Sequence, residues 1–398
     1  MTPRFSLGFF AVALASASVV GALSEEPVGI LLQTPFEGSY GGSFGAALAI
    51  AEGRVLIGAP SANPEEAGAA ALYDGRTGEM LTTFANPDPA DGEIYGQTVA
   101  LNGSHAVIGN YADGLTTIDR VVGTAYSYDL AAGGAPAQIA VPPELEGRFG
   151  VAIAMSETQV LIGASGAGEA GRAGLFDLAS GALVRIFEAP DPGTVRGFGS
   201  GAALSDRYAV IASSDDMQRG AVHVFDAASG DLLRTIQDAT PEPFSGFGRA
   251  FALEGEMLLI GVTGDADYPG GAALLYEMGE AAPVAVFTHP ETGAEVNFGI
   301  SVAMAEGRMA VAAADYGTIE LGKPRPPQKA EVFVFDMAGA MIDRHGFENQ
   351  SHFGGGYDIS VALGEDVLAV AIEGSDVSGA GTGAGFLFDV PAGEAGGD

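Results

Sequence analysis

Residues 44–60 read FGAALAIAEGRVLIGAP, which has the grammar of two strands joined by a hairpin. The aromatic–Gly pair Phe44-Gly45 opens a run of small and aliphatic residues, 45–51. Glu52-Gly53 supplies a tight turn, and residues 54–58 (RVLIG) return as a second apolar run. After a variable loop, residues 69–73 (AAALY) end at Asp74, and a turn through Thr77-Gly78 leads to residues 80–84 (MLTTF). Runs of four to seven residues bounded by Gly, Asp, Asn and Pro are strands, and no useful length has a helical period. The unit is therefore four short strands in about 50 residues.

The unit recurs. An aromatic–Gly pair opens a new copy at Phe44, Tyr95, Phe149, Phe198, Phe247, Phe298 and Phe353, at spacings of 51, 54, 49, 49, 51 and 55 residues. Second strands follow at 105–109, 160–163, 208–212, 258–261, 309–312 and 367–370, and third strands at 125–128, 174–176, 222–225, 273–276, 332–335 and 385–388. Fourth strands are readable at 138–141, 183–187, 232–236 and 284–287, and weakly at 340–343. Seven such copies predict an all-β fold, a seven-bladed β-propeller of four-stranded antiparallel blades. Ala and Gly suit strands that converge on an axis. The aromatic ring suits the seam between blades, and the Gly beside it permits close backbone approach. The last copy stops after its third strand, whereas residues 30–34 (ILLQT) form an orphan strand before the first copy. That strand is expected to complete the seventh blade and cover its open edge.

Composition bounds the rest. The 398 residues are 47% hydrophobic, enough to bury a large core and exclude general disorder. With no Cys, disulfides, thiolate metal sites and a Cys nucleophile are excluded. Fifty-one acidic against 17 basic residues give a net charge of −34. Such a surface repels phosphates and anionic headgroups, so no nucleic acid or peripheral membrane partner is expected. At the start, Arg4 and the apolar run 5–14 precede small residues, with Ala15-Ser16-Ala17 and Val20-Gly21-Ala22 as cleavage motifs. Residues 1–22 are read as an export signal, the uncleaved alternative being a membrane anchor over 5–23. The propeller then occupies 23–390, and 391–398 is expected to be a disordered tail. The localisation expected is secreted, periplasmic or cell-surface.

The units resemble FG-GAP repeats, the building blocks of the integrin α-subunit propeller and of many bacterial secreted proteins. Phe44-Gly45 with Gly58-Ala59-Pro60 carries both halves of that motif, and Phe149-Gly150 with Gly163-Ala164-Ser165 is near it. The resemblance spans residues 27–390 and implies the fold and a binding or adhesion role. Family calcium loops lie between the first two strands, but here those links are short, as at Asn102-Gly103-Ser104 and Glu306-Gly307-Arg308. They lack the alternating carboxylates of a six- to eight-oxygen site and read as hairpin turns. No cofactor is expected. Asp265-Ala266-Asp267 with Gly270 is the nearest approach to a calcium loop. Quinoprotein dehydrogenases use similar third strands, but with Trp staples, and this chain has no Trp.

Catalytic signatures are sparse. Asp74, Asp129, Asp177, Asp226, Asp336 and Asp389 end third strands, with Glu277 the exception, and several precede Ser/Thr-Gly. Asp there caps a turn. The five His, at 105, 223, 289, 345 and 352, have no zinc spacing, and His352 belongs to the loop face. No G-x-S-x-G elbow exists, so no catalytic residue is assigned. In a propeller the second-to-third-strand loops and the blade links share one face. Long variable segments lie there, 110–122, 263–270, 315–329 and 373–382. Within them Tyr111, Tyr268 and Tyr316 sit among Asp113, Asp265, Asp267 and Asp315, and Asp215-Asp216 lies in an equivalent loop. Aromatics among polar loops on a rigid frame suit binding. One loop also holds a basic, Pro-rich arm, residues 323–329 (KPRPPQK), able to reach an acidic partner. The function expected is a non-catalytic scaffold that binds a protein or glycan. The alternatives are a hydrolase with carboxylates in the central pocket and a structural envelope protein.

Overall fold

Small residues in each first strand and aliphatic runs in the next two determine where each strand sits. The computed structural model describes residues 29–36, 43–62, 67–89, 94–111, 122–238, 246–264, 267–291, 296–315, 328–349, 359–373 and 383–391. The expected export signal, the tail beyond residue 391 and Phe353-Gly354 lie outside them. Blade 1 consists of Ala47–Ala51, Arg54–Ala59, Ala69–Asp74 and Met80–Ala85, antiparallel and paired in chain order. Ala51 pairs with Arg54 across Glu52-Gly53, whose φ values of 47° and 68° make the mirror-image turn favoured by strand twist. The first strand is half-buried and the next two are almost wholly buried. The fourth exposes all but one inward residue, Phe84.

Seven such sheets form a closed ring, and each innermost strand touches the innermost strands of both neighbours. Seven apolar clusters fill the seven seams. Six of them receive the aromatic that opens the following blade: Phe44, Tyr95, Phe149, Phe198, Phe247 and Phe298, each at most 2% exposed. Phe149 meets Phe176 edge-on with centroids 5.7 Å apart, and Phe44 meets Tyr73 likewise at 6.2 Å. These are favourable aromatic geometries.

The glycines explain why the blades approach so closely. At the seam between blades 1 and 2, Tyr95 N–H donates to the Ala67 carbonyl at 3.1 Å, and Gly68 forms a parallel bridge with Tyr95. Gly96 has φ 93°, and a methyl added there would overlap the Ala69 carbonyl oxygen. Gly58 in turn lies under the Gly96 carbonyl, leaving no room for a side chain. Thus the Gly that ends one blade's second strand meets the Gly beside the next blade's aromatic. The same backbone bridge recurs at Gly123–Phe149, Gly171–Phe198 and Gly271–Phe298.

Ring closure follows the expected route. Ile30–Leu32 is the outermost strand of the last blade, beside Ala384–Asp389, Val367–Ile372 and Ile359–Leu363. Ile30 pairs with Leu387, and Leu32 with Gly385. Leu32 is 1% exposed within the seam joining the last blade to the first.

Two outer strands differ from their sequence reading. In blade 2 the fourth strand is only Ala137–Gln138, because Pro136, Pro142 and Pro143 flank it and withhold donors. A 3-10 turn at Pro143–Leu145 instead drops Leu145 into the seam. In blade 6 the fourth strand is nine residues, Met341–Asn349, because its partner Gln328–Asp336 is equally long.

Two outcomes are expected. Leu32→Ala removes a buried anchor, costing about 2–5 kcal/mol, and deletion of residues 27–36 leaves a protein that aggregates; an unchanged melting temperature in the deletion would refute the closure. Gly96→Ala should lower the melting temperature well below that of Gly53→Ala, since both have positive φ but only Gly96 meets backbone. Equal shifts would show that conformation alone, not close approach, requires the glycine.

Candidate functional site

Antiparallel blades in chain order place the first-to-second and third-to-fourth turns on one face, and the second-to-third loops and blade links on the other. The turn face is stitched to itself. Arg54 donates to the Gly103 carbonyl of the next blade at 2.5 Å, and Asn102 to Ser156 at 2.9 Å. Arg207 pairs with Glu256, Gly307 N–H donates to Glu254 at 3.3 Å, and Arg308 reaches the Gly364 and Glu365 carbonyls. Arg76 of blade 1 pairs with Asp366 of the last blade. Each bond crosses a seam.

This face also holds an open cavity of about 500 Å³ between blades 4 and 5, lined by Arg207, Tyr208, Leu233, Arg234, Glu256 and Met278. Its polar groups serve one another. The Tyr208 hydroxyl donates to Glu256 at 2.5 Å, Arg207 lies over the Tyr208 ring, and Arg234 donates to the Ala281 carbonyl at 2.8 Å. These contacts make the cavity part of the seam.

The aspartates that end third strands cap their own turns, as their sequence context implies. Asp74 Oδ1 accepts from Thr77 N–H at 2.8 Å and from the Thr77 hydroxyl at 2.9 Å. Asp177 accepts from Ser180 N–H at 2.9 Å, and Asp226 from Ser229 N–H at 2.7 Å. These bonds lower the carboxyl pKa of all three below the ordinary aspartate value.

The loop face receives the binding candidates at the ends of second strands. Asp215 and Asp216 do not form a joint site. Asp215 accepts from Met217 N–H and pairs with Arg219 at 2.5 Å, whereas Asp216 pairs with Arg196 at 2.9 Å. Asp267 is exposed, and Tyr268 is half-buried against the seam of blades 4 and 5. Asp315 ends the second strand of blade 6. Blades 4, 5 and 6 thus bring Asp216, Asp267 and Asp315 to consecutive sectors of one rim, while Tyr111, in blade 2, stands apart. Asp113, Asp265 and Tyr316 lie outside the described residues. Among the described residues, no three His, Asp or Glu are grouped to hold a metal ion.

Three of the described histidines, His223, His289 and His345, occupy seams. His223 is 2% exposed against Phe198, its Nε2 2.7 Å from the Ser213 hydroxyl and its Nδ1 3.0 Å from Thr235 Oγ1. Burial pushes its pKa down to about 4. His289 Nε2 lies 3.1 Å from Glu331, which also holds Arg344, and His345 stacks on Phe388 with centroids 4.0 Å apart.

Sequence reading did not single out two exposed arginines at the loop-face entries of first strands. Arg148 immediately precedes Phe149-Gly150, and Arg249 follows Phe247-Gly248. The repeat alignment was their only signal, as charges at positions held elsewhere by small or neutral residues. No protein-family model matches the chain, and no curated protein matches it significantly in sequence.

A pH dependence follows from His223. Its folded pKa is below the usual 6.5, so the unfolded chain binds the proton first as pH falls, and stability drops between about 6.5 and 4. The loss is on the order of 3 kcal/mol. The capping aspartates act only below their ordinary value of 3.8, so the two windows separate. His223→Gln should flatten urea-unfolding stability across pH 4–6.5; an unchanged slope would assign it elsewhere.

Proposed function

We propose that the protein is an exported, non-catalytic binding scaffold that presents its loop face to a protein or glycan. The observation that carries this reading is the asymmetry between the faces. Several side chains on the turn face bond to neighbouring blades, and the connections that read as long and variable in the sequence join strand ends on the opposite face. Recognition by loops on a fixed frame is the usual use of such a surface. The seam glycines and aromatics are also where an FG-GAP repeat carries its motif, which supports placing the chain with the FG-GAP-type propellers. We assign no cofactor, and calcium has no part in this reading because the short first-to-second-strand turns have no room for the family's ion loop.

The non-catalytic assignment has support of its own. Among the described residues of the innermost strands, Glu254 is the sole carboxylate, and it accepts from Gly307 N–H. A hydrolase working through a carboxylate pair on those strands finds no second member among the described residues.

The test is an immobilised-glycan and cell-surface-protein panel, with EDTA present throughout. A ligand found this way should lose at least tenfold in affinity with Asp216→Ala/Asp267→Ala and be indifferent to Glu52→Ala on the turn face. Reversal of that pattern, or turnover of a glycoside, ester or phosphate abolished by one Asp substitution, would overturn the proposal.

A further inference from the structure

In blades 1, 3, 4 and 6 the outer strand opens on a bulge. In blade 4, Phe225 pairs with Leu232 and Val224 with Arg234, so Leu233 has no partner across the sheet. Leu81, Val184 and Ile342 are skipped in the same way. A bulge re-aims a side chain, and here the re-aimed side chain is aliphatic. Leu81, Val184 and Leu233 are exposed, and Leu233, at 52%, is the most exposed large hydrophobic among the described residues. A bulge that only blunted the free edge of a blade would be served better by a charged residue.

At blade 4 the bulged side chain lines the open cavity of about 500 Å³ between blades 4 and 5. At two other seams the corresponding space is filled. Gly230, in the third-to-fourth turn of blade 4, lies against Arg185 of blade 3, and Gly78 of blade 1 lies against Ile30 of the last blade. Gly279, in that turn of blade 5, has open space over it. Arg234 ties the two walls, donating to the Ala281 carbonyl at 2.8 Å and lying over the Tyr276 ring at 5.4 Å. The rim is acidic. Asp231, Glu277 and Glu280 are exposed, and no described side chain forms an ion pair with any of the three. Arg207 is neutralised by Glu256, which leaves Arg234 as one cation against three acids.

We infer that this groove between the outer parts of blades 4 and 5 docks a basic amphipathic helix of a partner protein. An apolar side chain of the helix enters the cavity beside Leu233 and Met278, and Lys or Arg on its flanks meet Asp231, Glu277 and Glu280. Seating an apolar stripe in a groove is a general mode of helix recognition, and complementary charge around it sets partner and register. Charge also selects this occupant over others. A net charge of −34 repels a second copy and any acidic helix. The bulge interrupts the regular edge that an incoming strand would need. This surface adds to the loop-face reading and does not rest on it, because it lies on the opposite face.

Fluorescence anisotropy with the full chain tests it. The probe is a synthetic peptide of Leu and Lys with one apolar stripe, of about 18 residues so that it is helical alone. Saturable binding at physiological salt is expected, weakened at least tenfold by Leu233→Ser and at least threefold by Glu277→Gln/Glu280→Gln, which leaves the apolar wall intact. Leu81→Ser, at the same bulge without the cavity, and Asp216→Ala on the loop face should bind as the parent does. Leu233 is exposed, so Leu233→Ser should keep the parent's melting temperature. No saturable binding, equal binding of a scrambled peptide of the same composition, or parental affinity in Leu233→Ser would overturn the inference. Dimerisation of the chain in sedimentation, abolished by Leu233→Ser, would overturn the helix as occupant in favour of a second copy.

Discussion

The ring depends on one constraint, the near-contact of two glycine backbones, described at four of its seams: Gly58–Gly96, Gly109–Gly150, Gly163–Gly199 and Gly261–Gly299. Gly58 under the Gly96 carbonyl brings neighbouring blades close enough for Tyr95 to bond to Ala67 and for the aromatic to fill the gap behind them. Apolar burial drives the blades together, but it does not choose a distance. The backbone bridge does, and its repetition fixes a common angle between sheets. At the last-to-first seam Gly45 meets the Ala371 methyl, and where the second strand of blade 4 carries Ala212 in place of Gly, the next blade's Gly248 meets the Val222 side chain instead of a backbone carbonyl, so the seam of blades 4 and 5 is also built differently. That seam is also the one with the open cavity.

Much of this was legible because a repeat multiplies weak signals. A single Phe-Gly pair carries little information, whereas seven at near-constant spacing identify the blade, its strand order and the strand missing from the end. The capping role of Asp74 and Asp177 was legible from their distance to the following Thr-Gly and Ser-Gly. Blade 2's shortened outer strand was less so, because its prolines act through donors that a hydrophobic pattern does not register. The glycine before each third strand, such as Gly68 or Gly171, was overlooked because its partner is about 27 residues away in the next unit. Site residues were least legible. Asp215 and Asp216 are adjacent in sequence, yet their side chains turn to different arginines, and no periodicity encodes that choice.

The two faces divide labour by charge. On the turn face, cations are consumed in holding blade to blade, and their geometry repeats around the ring. On the loop face, acids and arginines pair within single blades, Asp215 with Arg219 and Asp216 with Arg196. A protein with this much negative charge stays soluble through self-repulsion.

The pairing of Ile30 with Leu387 has a kinetic meaning. It joins residues nearly a whole chain length apart, so the entropy of closing so long a loop should delay it until the intervening sheets have formed. Until then the final blade presents a bare edge, and the seam around Leu32 lacks one wall. Nonlocal closures of this kind are slow and leave open intermediates exposed to mispairing. The same adjacency means that a chain with its natural ends joined and new ends cut in any exposed turn would trade this late step for a local hairpin, and should reach the ring sooner.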